Sequence, residues 1–177
     1  MQKDWISVSQ NQNQLGKVIE TNHVAEKFGL VLTKEDAELI LAERNHVLRE
    51  QKRVEFGESI VPKIIYEFCD SDYISQSNYV GTILRLQEIF YLFKNEMQDE
   101  ITDSELLHFM KEQFETVCFG DLDYLSGTCL ANFAQAVRAG YRGYQGTDGY
   151  GEYSRLDEVT RWDYELYYET LKDICWD

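Results

Sequence analysis

The sequence predicts an all-α protein, a multi-helix bundle of about six to seven helices that forms a single domain over residues 1–177. Apolar residues recur at spacings of three and four along most of the chain, which is the period of a helix with one buried face. Thr33 and Thr102 each precede an acidic residue by three positions, as residues that open helices do. No stretch alternates between apolar and polar residues for long enough to require a sheet.

The first predicted helix is short. Leu15, Val18 and Ile19 lie at helical spacing, and the segment ends near Phe28 and Gly29, where glycine supplies a left-handed stop.

A longer helix is predicted from Thr33 to about Lys52. The carboxylate of Asp36 comes three residues after the capping hydroxyl of Thr33. One stripe then follows the helical period and consists of Ala37, Ile40, Leu41, Arg44, Val47 and Leu48. We expect this stripe to face the rest of the bundle.

Two strongly apolar helices occupy the middle of the chain. Ser59 is predicted to cap the first, and the single proline, Pro62, falls in its first turn, where the missing N–H costs nothing. Ser75 or Ser77 is predicted to cap the second, which runs to about Met97. Its apolar residues cover more than one face, so we expect this helix to be central and covered on two sides.

The next helix opens with a capping box at Thr102 and Glu105 and ends at Gly120. A turn over residues 121–127 is predicted to follow it.

Two helices complete the predicted bundle. A short one runs from Thr128 to Gly140, and the last opens at Thr160 after a Gly/Tyr-rich loop over residues 140–153.

The charge is acidic and unevenly distributed. The chain has 32 acidic and 17 basic residues, a net charge of −15; residues 1–60 hold 10 acids and 8 bases, whereas residues 61–177 hold 22 acids and 9 bases. Such a surface repels nucleic-acid phosphates and anionic membranes. We therefore expect no nucleic-acid and no membrane partner, but a protein partner with a basic surface, or self-association.

The sequence contains nothing typical of export or membrane insertion. The N-terminal residues lack an apolar stretch, and the apolar run at residues 89–93 is far shorter than the ~20 residues of a membrane helix. The four cysteines form no Cys-x-x-Cys pair, and we interpret them as small, reduced core residues of a cytoplasmic protein: Cys69, Cys118, Cys129 and Cys175.

Three segments are similar to a known family. PKIIYEFCDS (residues 62–71), LQEIFYLFKNE (residues 86–96) and LDYLSG (residues 122–127) resemble a bacterial domain-of-unknown-function family that occurs mainly in anaerobic, Clostridium-like Firmicutes. The resemblance covers most of residues 45–130. It implies a bacterial cytoplasmic protein and carries over no activity and no site.

Each histidine has a glutamate three residues before it. The pairs are Glu20–His23, Glu43–His46 and Glu105–His108. Glu-x-x-His on facing helices is the ligand pattern of di-iron and di-manganese bundles, so a metal-dependent helical-bundle enzyme is one alternative. Helical phase favours a second alternative, in which these residues face solvent. His46 and both residues of the third pair fall about 150–160° from the centre of their apolar stripes. We therefore favour ordinary surface pairs, with no metal and no cofactor.

The Gly/Tyr-rich segment is the most distinctive candidate surface. Tyrosine offers a large contact area with few rotatable bonds, and glycine lets a loop adapt to a partner. The binding hypothesis assigns this role to Tyr141, Arg142, Tyr144, Tyr150 and Tyr153. The alternative is a connector, or a loop that packs back on the bundle.

The chain has one basic cluster, which consists of Arg44, Arg49, Lys52 and Arg53. We interpret it as a solvated helix end, where cations favour the helix dipole. The alternative is pairing with the acidic later part of the chain, within or between molecules.

Two further functions remain open at this point. A small-molecule pocket could form near Tyr66, Phe90 and Tyr91. Cys118 or Cys129 with His108 could support nucleophilic catalysis, but no local motif favours it and no catalytic residue is assigned. The sequence therefore favours an interaction or regulatory module over an enzyme.

Overall fold

The computed structural model describes residues 12–55 and 59–140, and these residues are mostly helical. Residues 12–20 lie in helix α1. The later elements are α2 (Asn22–Ala25), a 3-10 helix (Glu26–Phe28), α3 (Lys34–Glu50), α4 (Val61–Phe68), α5 (Tyr79–Glu96), α6 (Asp103–Thr116), α7 (Leu122–Tyr124), a π-helix (Leu125–Leu130) and α8 (Ala131–Arg138). The described residues contain no strand, so the all-α prediction is confirmed.

Helix α3 begins where the sequence predicts. The Thr33 hydroxyl accepts a hydrogen bond from the Asp36 backbone N–H (3.1 Å), and the Asp36 carboxylate accepts one from the Thr33 N–H (3.0 Å). The six residues of the predicted stripe are the buried residues of this helix. The helix ends at Glu50, slightly earlier than predicted, because Lys52 already adopts a left-handed φ of 54°.

The predicted stop near Gly29 is also confirmed. Gly29 has a φ of 78° and follows the 3-10 helix. Its N–H donates to the carbonyl of Glu26 at 3.0 Å, which closes the last turn.

Helix α4 has the predicted proline, and its N-cap residue is Ile60, one position after the predicted cap Ser59. The Ser59 hydroxyl accepts a hydrogen bond from the Val61 N–H at 3.2 Å, and Pro62 lies in the first turn. The apolar face is buried along its whole length, with Ile64, Ile65 and Phe68 fully shielded from solvent.

Helix α5 is the central helix of the described bundle. It packs against α3, α4, α6 and α8, which confirms the prediction that it is covered on more than one side. The predicted cap is wrong, however. Asn78 precedes the helix, and its side chain turns back to the preceding loop, accepting from the Ser75 N–H (2.9 Å) and donating to the Tyr73 carbonyl (3.1 Å). The Ser75 and Ser77 hydroxyls hydrogen-bond each other instead.

Helix α6 opens with the predicted capping box. The Thr102 hydroxyl accepts from the Glu105 N–H at 3.2 Å, and the Glu105 carboxylate accepts from the Thr102 N–H at 3.3 Å. The chain leaves the helix through Gly120, whose φ is 86°.

The predicted turn at residues 121–127 is wrong, as is the predicted helix start at Thr128. The Asp121 carboxylate accepts a hydrogen bond from the Tyr124 N–H at 3.0 Å and caps a helical run that continues to Arg138. Gly127 and Thr128 favour helix weakly, which is why the sequence indicated a turn. The structure accommodates them in the π-helix between α7 and α8.

Aromatic contacts join the helices. Phe68 of α4 meets Phe114 of α6 edge to face at 5.4 Å between ring centroids. Phe109 of α6 stacks on Phe133 of α8 at 4.0 Å, with 16° between the ring planes. These contacts hold α4, α6 and α8 in one apolar core.

The basic cluster is not uniformly solvated, which corrects the sequence interpretation at Arg44. This guanidinium is buried, and its Nε and Nη2 donate to one carboxylate oxygen of Glu55 at 2.8 and 2.7 Å. The other oxygen of Glu55 accepts from the hydroxyl of Tyr91 on α5. Burial and the Glu55 charge raise the pKa of Tyr91 well above its usual range.

Arg53 is also bound within the chain. Its guanidinium donates to both carboxylate oxygens of Asp99, at 3.0 and 2.6 Å, and to Asn95 at 2.6 Å. The remaining two cluster residues, Arg49 and Lys52, are exposed. Pairing with the acidic later part of the chain is therefore correct for Arg53, whose partner is Asp99, whereas Arg44 pairs with Glu55, within residues 1–60.

Within residues 12–55 and 59–140, no helix has both the length and the apolar character required to cross a membrane.

Candidate functional site

A groove of about 290 Å³ lies between α3 and α5. Both helices contribute charged side chains to its rim and aliphatic side chains to its floor. The lining residues are Glu43, His46, Val47, Glu50, Gln51, Arg85, Glu88, Ile89 and Leu92.

The central polar feature of the groove is a pair of carboxyl groups, Glu43 on α3 and Glu88 on α5. Burial raises the pKa of Glu43, and the hydrogen bond and charge repulsion from Glu88 raise it further. The charge of the neighbouring His46 lowers the pKa of Glu43, but this effect is smaller. Two neighbouring carboxylates that line one groove resist ionising together, so the site favours an arriving proton or cation.

Cations within the chain compensate this negative charge only in part. The Arg85 guanidinium is divided between Glu88 (3.1 Å) and Asp123 (3.3 Å), and the Arg85 side chain is 42% exposed. His46 Nε2 lies 3.3 Å from a carboxylate oxygen of Glu50. Three glutamates, one arginine and one histidine line the groove, so its rim carries a net negative charge.

The floor of the groove is aliphatic. Val47 and Ile89 belong to the core and are buried, whereas Leu92 is 36% exposed at the rim. Lysine and arginine place an aliphatic stem on such a surface while the charged group stays among polar partners. The groove has the chemistry to receive a basic side chain.

The histidines of the Glu-x-x-His pairs are exposed. His46 and His108 form ion pairs with glutamates other than those three residues before them. His46 is 55% exposed and pairs with Glu50. His108 is 66% exposed, and its Nδ1 lies 3.7 Å from Glu67 of α4. Glu105 belongs to the capping box of α6.

The first pair, Glu20 and His23, is also exposed. In the part of the chain that the structure describes, no three His, Cys, Asp or Glu side chains converge as metal ligands would. Of the six residues named for the metal alternative, only Glu43 and His46 line the groove.

The residues proposed for binding in the Gly/Tyr-rich segment lie outside the described residues. They are Tyr141, Arg142, Tyr144, Tyr150 and Tyr153.

The three aromatic residues suggested for a small-molecule pocket differ in environment. Phe90 and Tyr91 are buried and meet edge to face at 5.4 Å, whereas Tyr66 is 47% exposed on α4. The groove between α3 and α5 is lined by other residues.

Arg85 and Glu88 are site residues that the sequence alone did not predict. They form an ordinary i,i+3 ion pair on α5 at 3.1 Å, which the sequence shows but does not distinguish from other surface pairs. Their importance comes from the packing of α5 against α3, which places Glu88 beside Glu43.

A protein family described as "Family of unknown function (DUF6323)" matches residues 17–143, and the chain belongs to this family. The match includes every described helix from α2 to α8 and both walls of the groove. No curated protein and no solved structure matches the chain.

Proposed function

We propose that the protein is an interaction or regulatory module that binds a basic segment of a partner protein in the groove between α3 and α5. The observation that carries this proposal is the Glu43–Glu88 pair, two carboxyl groups whose mutual repulsion an arriving cation would relieve. The aliphatic floor around Leu92 supports the same partner, because it can receive the stem of a lysine or arginine, or a neighbouring apolar side chain.

The partner is a different protein rather than a second copy of this chain. Self-association through the basic cluster would need its cations to be available. Arg44 and Arg53 are already bound to Glu55 and Asp99 within the chain, which weakens that alternative. The net charge of −15 also makes two copies repel each other.

A second contact with the partner is proposed from sequence alone. The Gly/Tyr-rich segment would add aromatic contacts through Tyr141, Tyr144, Tyr150 and Tyr153, and Arg142 would add a planar cation. Changing Tyr141, Tyr144 and Tyr150 to Ala together tests this contact, and unchanged affinity for the partner would remove the segment from the proposal.

The proposed setting is a bacterial cytoplasm, with residues 1–177 acting as one helical domain. The family resemblance in residues 45–130 supports this setting. Nucleic acids are not proposed as partners, because the later helices carry a strong negative charge.

The proposal is tested by calorimetric titration of the full chain with a synthetic peptide composed of Lys, Arg and Leu. We expect binding that weakens with added salt, because the attraction is electrostatic. The double change Glu43→Gln with Glu88→Gln should lower the affinity about tenfold, equivalent to about 1.4 kcal/mol.

Glu38 provides the matched control, because it is exposed on α3 and does not line the groove. Glu38→Gln removes one negative charge from the same helix and should leave the affinity nearly unchanged. Equal affinities for the wild type and the double variant, or an equal loss in Glu38→Gln, would show that the groove is not the binding site.

A further inference from the structure

Two cysteine side chains meet between the end of α6 and the π-helix. The Sγ atoms of Cys118 and Cys129 lie 3.7 Å apart, and both residues are thiols. Cys118 is 6% exposed and Cys129 is fully buried. Cys129 belongs to the π-helix, a type of turn that is frequent at functional sites.

The sulfur atoms are near enough to bond after a small movement. A disulfide has an S–S distance of about 2.05 Å, so the two sulfurs would have to approach by roughly 1.7 Å. Rotation about the Cα–Cβ bonds moves a cysteine sulfur by more than this. Cys69, in contrast, is buried at the end of α4 and donates a weak hydrogen bond to the Tyr66 carbonyl at 3.9 Å.

We propose that Cys118 and Cys129 form a reversible disulfide when the protein meets a peroxide, so that this pair is a redox modification site. Cys118, at 6% exposure the less buried of the two thiols, is the one that the peroxide reaches first when this region opens. The buried Cys129 is the resolving thiol. Reduction by a dithiol restores the starting state.

The reaction balances in two steps. The Cys118 thiolate attacks one peroxide oxygen, the O–O bond breaks, and the released hydroxide takes up a proton, which gives a sulfenic acid and one water. The Cys129 sulfur then attacks the Cys118 sulfur, the S–O bond breaks, and the leaving hydroxyl takes the thiol proton as a second water. The two thiols are oxidised by two electrons and the peroxide is reduced by two electrons.

Burial sets the rate and the consequence of this reaction. Because both thiols are shielded, the peroxide reaches them only when this region opens locally, so oxidation is slow compared with that of an exposed thiol. The bond then ties the end of α6 to the π-helix across residues 118–129. This segment includes the Asp121 cap of α7, so the disulfide would fix the start of the helical run that ends at α8.

The experiment exposes the reduced full chain to hydrogen peroxide, blocks the remaining thiols with N-ethylmaleimide after denaturation, and maps the peptides by mass spectrometry. We expect a cross-linked peptide pair that joins Cys118 to Cys129, with a mass lower by two hydrogen atoms than the two thiol peptides. Dithiothreitol should separate the pair. The oxidised protein should also melt at a higher temperature than the reduced protein.

The control is Cys69→Ala, which removes a buried cysteine outside the pair and should retain the cross-link. Cys118→Ala should abolish both the cross-link and the difference in melting temperature. Peptide mapping of the wild type is decisive even if a variant fails to fold. Recovery of Cys118 and Cys129 as maleimide adducts after peroxide treatment, or of either residue linked mainly to another cysteine, would overturn the proposal.

Discussion

Arg44 is a buried cation on a helix face that otherwise carries aliphatic side chains. Its guanidinium is held by Glu55, which also accepts from the Tyr91 hydroxyl and, at 3.3 Å, from the Ile60 N–H. These contacts tie the residues after α3 to the start of α4 and to the central helix α5. A buried ion pair contributes little net stability, but removal of one partner leaves the other charge buried and unpaired.

Arg44→Met is therefore expected to lower the free energy of unfolding by about 3–5 kcal/mol. Guanidinium chloride denaturation followed by circular dichroism measures the change. Arg49→Met is the matched control, because Arg49 is exposed on the same helix, and it should change stability by no more than about 0.5 kcal/mol. Similar losses in the two variants would mean that the Glu55 contact is not what anchors this region.

Glu43 gives a prediction for the pH dependence of stability. Its pKa is raised in the folded protein above the ordinary value of 4.5, so the folded state binds this proton more tightly than the unfolded state. The free energy of unfolding therefore falls as the pH rises from 4.5 through the raised pKa. Glu43→Gln removes this contribution and should stabilise the protein at neutral pH by about 0.2–0.5 kcal/mol, the size of a like-charge pair on a helix surface.

Thermal unfolding of wild type and Glu43→Gln across this pH range checks the sign. The gain should shrink below pH 4.5, where Glu43 is protonated in both states, and it should also shrink at high salt. Glu38→Gln should show no such gain, since the Glu38 carboxylate lies 4.0 Å from the Lys34 ammonium group, an attractive neighbour rather than a repulsive one. A neutral-pH loss of stability in Glu43→Gln would contradict the proposed repulsion.

The α3 stripe shows how far the sequence can predict individual residues. All six of its members are buried, including Arg44, because helical period decides which face turns inward. The partner of Arg44 could not be predicted in the same way. Glu55 lies beyond the end of α3, and its position depends on how the chain leaves the helix.

At the level of elements, Gly120 has the strictest steric requirement among the glycines of residues 12–55 and 59–140. Its φ is 86°, and a Cβ atom added there would lie 2.7 Å from the Cβ of Tyr73. Tyr73 in turn packs edge to face on Phe114, at 6.0 Å between ring centroids. The chain can leave α6 by this path only if residue 120 lacks a side chain.

Gly120→Ala is thus expected to destabilise the protein by at least about 1–3 kcal/mol, from backbone strain and displacement of Tyr73. Gly127→Ala is the matched control. A Cβ added to Gly127 would meet nothing within 4 Å, and alanine favours helix by up to about 1 kcal/mol, so this variant should be neutral or more stable. The melting temperatures of the two variants test this difference. A melting temperature of Gly120→Ala equal to that of the wild type would contradict the contact between residue 120 and Tyr73.

Helix starts were predictable where a capping side chain accepts a hydrogen bond from the backbone N–H three residues later. Thr33 and Thr102 meet this condition in the structure. The start of α5 was not predictable, because Asn78 bonds the preceding loop rather than the helix. The helical run after Asp121 was missed because Gly127 and Thr128 have low helix propensity, which tertiary packing and the π-helix override.

For the whole molecule, the sequence predicted the acidic surface and the helical bundle but not the groove. Net charge follows from counting residues, whereas the Glu43–Glu88 pair arises only when α5 packs against α3. The family match over residues 17–143 covers both helices. Binding in the groove therefore depends on tertiary structure, so a test of this function must locate binding on that structure.

The most direct test is an NMR titration of the isotope-labelled full chain with the peptide of Lys, Arg and Leu. We expect amide shift changes concentrated at residues that line the groove, among them Glu43, Glu50, Glu88 and Leu92. The double variant Glu43→Gln with Glu88→Gln should show strongly reduced changes. Shift changes confined to another surface, with the groove amides unmoved, would show that the groove is not the binding site.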